Sequence, residues 1–293
     1  MTLNITSGEY FNNYIKNKYD GKFIPFNESM ITGQSISKIL TDEFIEVRAE
    51  HHNVSTIEYI NKLYNLNNPD FINSFNEINL WFGLDTFCQI NMLTLLAYLD
   101  QINYSGLVYF IGIDDYTNEI IKEKELVQIN NFSLVYNSVI INKNTTKTLF
   151  SNINKAIEEY LQLANGTDEI SLFIKNNLNL KSEDLLIKSL NISKELGLSD
   201  IIIKSLIDKY KFNKYELYYQ NDLIGTITLD LGTNIASYNY LNNKQNIFEF
   251  LKYDVIDNIN NLPFFKSRID NMNKFKLTEV KYQNDFYLLK RIN

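Results

Sequence analysis

The chain has 293 residues, 45% hydrophobic and 14% aromatic, with 28 Lys+Arg against 35 Asp+Glu and a formal net charge of −7. Such a composition buries a substantial core and excludes a disordered or collagen-like chain, while the single cysteine excludes an internal disulfide framework. The acidity disfavours a nucleic-acid surface over most of the molecule: Met1–Ser199 carries 15 basic and 24 acidic side chains, Asp200–Asn293 13 and 11.

In chain order, Leu3–Thr6 reads as a first strand, Glu9–Lys18 as a helix and Lys22–Phe26 as a second strand, a βαβ-like opening. It starts on a strand-like run rather than a basic segment and an apolar signal core, and no apolar run reaches membrane-spanning length. A cytoplasmic location and no membrane partner are expected. Helical spacing follows at Ile36–Glu50, Ser55–Tyr64 and Pro69–Phe75, and buried strands are expected at Ile78–Phe82 and Leu107–Ile111. Phe132–Ile141, rich in β-branched and aromatic residues, is expected to add a further strand.

Strands alternating with helices predict an α/β fold with a Rossmann-like, mainly parallel sheet over residues 1–142. The polar break Asn142–Thr146 then leads to a helical and α+β domain over 143–293. Its helices are expected from Lys147 to about Leu163 and at Glu169–Asn177, Ser182–Leu190 and Ser199–Lys209, followed by hairpins at Glu216–Leu231 and Val280–Leu289. The basic end of the chain, with Lys266, Arg268, Lys274 and Lys276, has a winged-helix order of helix then hairpin. Phosphate contacts to a nucleic acid are weighed there against ordinary solvated lysines.

The stretch Asn79–Leu99, NLWFGLDTFCQINMLTLLAYL, concentrates the functional signal. A buried strand turns into an apolar helix, and Asp85 falls at the junction, as a helix cap, an acid/base, or both. Gln89 lies one turn later, placed to orient a ligand. The turn Thr6-Ser7-Gly8-Glu9 joins a strand to a helix whose N–H groups can receive an anion, but one glycine falls far short of G-x-G-x-x-G or a P-loop, so no cofactor is assigned.

In a parallel sheet the loop carrying Glu28 leaves from the same edge as Gly8 and Asp85. Glu9, Glu28 and Asp85 could there share a proton or a divalent ion, with Arg48 pairing bidentately with an anionic ligand. The reading that follows is a cleft for a small anionic or nucleotide-like ligand, with Asp85 and Glu28 as catalytic groups and Ser7, Gly8, Glu9, Arg48 and Gln89 as ligand contacts. The rivals are a non-enzymatic regulator that binds nucleic acid or protein through the C-terminal unit and a structural or interaction protein with a decayed site. His51 and His52 lack a second ligand pair for zinc and are expected to finish a helix; Cys88 and Trp81 are expected in the core.

The pattern LWF-x-x-D-x-F-C-Q-x-N-x-L-x-L-L-A-x-L resembles the core of an uncharacterised bacterial family, domain of unknown function 1835. Ser7, Gly8 and Glu9 after the first strand, the segment Pro25–Gln34 and Arg48 agree with that family's layout. The family usually has aspartate at the positions of Glu9 and Glu28, proline at Gln34 and glutamate at Gly83. The resemblance covers roughly the first half of the chain and implies no established reaction.

Overall fold

The computed structural model describes residues 1–114, 117–148, 150–219, 222–233, 235–240, 277–282 and 285–292. Two compact units emerge: Met1–Asp168 with Ser193–Leu198, and Glu169–Ile192 with Ser199–Asn293.

The first unit is built on a five-stranded sheet of β1 (Thr2–Ser7), β2 (Lys22–Phe26), β3 (Glu77–Gly83), β4 (Leu107–Ile113) and β5 (Ile120–Leu126), in the order β2-β1-β3-β4-β5. The first four strands pair in parallel, with Ile5 opposite both Ile24 and Leu80, and Leu80 opposite Phe110. These four side chains are at most 2% exposed, as expected of parallel strands covered on both faces. Pro25 is accommodated because β2 is an edge strand paired on one side.

At the other edge β5 runs antiparallel to β4, and its sequence IIKEKEL is mostly exposed. Its alternating charges discourage further strand addition. It takes the place expected for Phe132–Ile141, which instead forms α6 (Phe132–Tyr136) and a π-helical turn, Asn137–Ile141. Phe132, Val135, Tyr136, Val139 and Ile140 are all buried there, so packing decides over β propensity.

The remaining helices of this unit are α1 (Gly8–Ile15), α2 (Asp42–His52), α3 (Thr56–Leu63), α4 (Pro69–Asn73), α5 (Thr86–Gln101) and α7 (Ser151–Asn165). Residues 27–41 run mostly as irregular chain, so α2 starts later than the spacing from Ile36 suggests; Thr41 caps it by accepting from the N–H of Phe44. Thirteen of the sixteen residues of α5 are buried, because the helix lies between β3 and the pair α6 and α7. Packing on α5 draws α7 into the first unit, so this unit extends to Asp168 beyond the polar break at Asn142.

The second unit contains α8 (Glu169–Asn176), α9 (Ser182–Ile192), α10 (Asp200–Lys211) and an antiparallel sheet. Strands β6 (Phe212–Tyr219), β7 (Asp222–Asp230), β8 (Ile235–Tyr240), β9 (Leu277–Tyr282) and β10 (Asp285–Arg291) lie in the order β8-β7-β6-β10-β9. Both expected hairpins form, β6 with β7 and β9 with β10, in a sheet wider than the single hairpin of a wing. Lys211, 2% exposed, is held by Asp230 at 3.1 Å and by the carbonyl of Leu178. Lys266, Arg268, Lys274 and Lys276 lie outside the described residues. Among the described residues no helix is long and apolar enough to cross a membrane.

Candidate functional site

The strand order changes direction between β1 and β3, and doubly wound sheets bind ligands in the crevice outside the carboxyl ends of such a pair. Three loops leave this edge: β1 into α1 at Ser7-Gly8, β2 into the segment carrying Glu28, and β3 into α5 at Asp85.

At the β1 end, Gly8 has φ +82, and no atom lies within 4 Å of the position a Cβ would take. The left-handed backbone favours glycine, and the space in front of it is open. Ser7 is the N-cap residue but makes no side-chain cap bond; its Oγ lies 3.0 Å from Cys88 Sγ. The first N–H groups of α1 therefore have no side-chain acceptor at Ser7. Glu9 is exposed, with long bonds from Asn27 Nδ2 (3.4 Å) and the Tyr64 hydroxyl (3.3 Å).

At the β3 end Asp85 is half-buried and caps α5, its Oδ1 accepting from the N–H of Cys88 at 2.9 Å. The returning segment Ser193–Leu198 passes directly against this carboxylate. A Cβ on Gly197 (φ +66) would stand 2.1 Å from Asp85 Oδ1. Gln89, fully buried, donates from Nε2 to the carbonyl of Gly83 at 2.5 Å, while among the described residues its Oε1 has no partner.

Glu28 and Arg48 form a different arrangement from the expected one. Glu28 is 5% exposed and Arg48 fully buried, and Glu28 Oε1 accepts from Arg48 Nη2 (2.6 Å), His52 Nε2 (2.7 Å) and the N–H of Ser29 (2.7 Å). Its Oε2 accepts from the Tyr59 hydroxyl. Burial pushes the Glu28 carboxyl up, but the bond from His52 and the charge and bond of Arg48 outweigh it and hold the group down at about 2. Burial beside this carboxylate raises the Tyr59 hydroxyl well above its ordinary value.

Arg48 spends its remaining terminal N–H groups on the carbonyls of Thr32 (2.8 Å), Gln34 (3.0 Å) and Ser29 (3.0 Å). Asn91 on α5 completes the clamp, donating to the carbonyl of Glu28 and accepting from the N–H of Met30. This is an internal ion pair that fixes the 28–34 loop. A carboxylate so strongly acidic and so fully bonded is a poor general base, and an arginine so occupied is a poor anion clamp. Both depart from their expected ligand-facing roles.

The edge thus brings Ser7, Gly8, Asp85, Gln89 and Cys88 to the β1–β3 junction and sets Glu28 and Arg48 to hold a loop beside it. Sequence reasoning misses Tyr59, Asn91 and Gly197, and gives His52 only a helix-ending role. His51 and His52 do finish α2, yet His52 also bonds Glu28. No group of His, Cys, Asp and Glu able to hold a metal ion occurs among the described residues. No family model, no curated protein and no solved structure matches the chain.

Proposed function

We propose that the first unit binds a small ligand carrying an anionic group and a hydroxyl or amine, as nucleotides and sugar phosphates do, at the junction of β1 and β3. One observation carries this reading: Gly8, at the switch point of the sheet, has open space before it and stands at the start of a helix without a side-chain cap. The N–H groups of α1 receive the anion. Asp85 takes a donor from the ligand, and the buried Gln89 holds the end of β3 through its bond to the carbonyl of Gly83. The residues on which the sequence resembles the uncharacterised family lie in β1, the loop after β2, α2 and the β3–α5 junction.

Binding rather than catalysis fits the groups at the junction, since Glu28 is tied into its loop. Thermal unfolding with a panel of nucleotides and sugar phosphates tests the reading. A ligand at a hundredfold excess over its Kd stabilises by about 2.7 kcal/mol, a shift of several degrees. Gly8→Val, which fills the open space, and Asp85→Asn should each reduce that shift. A panel that leaves the wild-type midpoint unmoved would refute the proposal.

A further inference from the structure

The segment Ser193–Leu198 belongs by its contacts to the first unit, although the chain on either side of it, Glu169–Ile192 and Ser199–Asn293, belongs to the second. It forms a 3-10 turn, Ser193–Leu196, ended by Gly197 in the left-handed conformation (φ +66), where glycine commonly closes a helical turn. Both ends are fastened, Ser193 being 2% and Leu198 5% exposed, and the turn between them packs against α5.

Gly197 stands on Asp85. A Cβ at Gly197 would lie 2.1 Å from Oδ1, 2.5 Å from Cγ and 3.1 Å from the Cβ of Asp85, so the glycine backbone touches the carboxylate and any larger residue would have to move one of the two. Oδ1 also accepts from the N–H of Cys88 at 2.9 Å. A carboxylate oxygen offers about two lone-pair directions, so the helix cap and the glycine together crowd Oδ1, and neither contact involves Oδ2. A ligand that bonds Asp85 through both oxygens, as a vicinal diol does, needs the place that Gly197 holds.

We propose that Ser193–Leu198 is an autoinhibitory strap of the β1–β3 site: strap and ligand compete for the Asp85 carboxylate, and binding lifts Gly197 from it. The inference rests on the ligand site proposed above and adds its regulation. Leu198 is the strap's buried apolar anchor, so lifting the strap exposes far less surface than opening a strand or helix of the sheet, and the sheet keeps its pairing. A protein whose binding-competent state is a minor fraction binds more weakly by that fraction. Loosening the strap should therefore tighten binding.

The test compares the full chain with Gly197→Ala and Leu198→Ala, using AMP, UMP and ribose 5-phosphate as probes. Affinity is read by ligand-observed NMR and strap opening by hydrogen exchange over Ser193–Leu198. Gly197→Ala drives a methyl group into the carboxylate. Leu198→Ala removes the anchor and adds nothing beside Asp85, so it decides the matter if Gly197→Ala turns the Asp85 side chain instead of moving the strap. Leu198→Ala should exchange faster in the strap and bind a probe about tenfold tighter, the gain for a lifted state populated about one part in ten. In the wild type, bound probe should speed exchange in the strap. Equal or weaker binding by Leu198→Ala overturns the proposal, as does slower strap exchange with probe bound, which would make the segment a wall that closes on the ligand. A probe bound equally by all three proteins leaves the site standing and removes the strap alone. No probe bound by any of them refutes the site and the strap with it.

Discussion

Glu28 shows how one carboxylate holds a loop through charge rather than chemistry. Its folded-state value of about 2 lies below the ordinary 4.5, so its contribution to stability is fully present above pH 4.5 and is lost as pH falls toward 2. Glu28→Gln would leave Arg48 buried without its carboxylate, a loss of about 3–5 kcal/mol. The variant should therefore be much less stable at neutral pH and should lose less stability on acidification than the wild type. Urea unfolding near neutrality and near pH 3 measures both. Equal slopes of stability with pH in the two proteins would show that Glu28 is not a principal acid-sensitive group. Glu28 is visible in the sequence as an acid at the right sheet edge, but its partners Arg48, His52 and Tyr59 are 20, 24 and 31 residues away. No spacing rule links them.

Among the elements, β3 and α5 are the most legible because burial on all sides makes their sequences continuously apolar, and Asp85 marks the turn between them. Trp81 also carries a polar obligation, its Nε1 donating to Asn4 Oδ1 at 2.9 Å while its ring packs near Phe11 and Tyr19. Trp81→Ala should cost about 3–5 kcal/mol and Leu95→Ala about 2–5 kcal/mol. Denaturant unfolding that places either variant within error of the wild type would remove this strand–helix unit from the core. Where an element is only half-covered the sequence misleads. The charges of β5 resemble a solvated loop, and the β-branched run of Phe132–Ile141 resembles a strand until contact with α5 makes it helical.

For the whole chain, the alternation of strands and helices was enough to read the parallel sheet, and with it the shared edge of Gly8, Glu28 and Asp85. The extent of the first unit was not readable in the same way. It depends on α7, whose Ile153, Ala156, Ile157, Tyr160 and Leu161 are buried, and which lies beyond the polar break that locally resembles a linker. Thr86 adds a bond from the start of α5 to Glu159 on α7. A fragment of residues 1–142 would expose the face of α5 that α7 covers, an apolar surface with no other cover in that fragment. It should bind a hydrophobic dye, lack a cooperative thermal transition or aggregate. A fragment of residues 1–168 retains α7 and should unfold cooperatively, though below the full chain, because it lacks the Ser193–Leu198 segment against Asp85. Circular dichroism melts of the two fragments decide the matter. A 1–142 fragment melting cooperatively at the temperature of 1–168 would mean that α7 is an accessory to the sheet rather than part of its core.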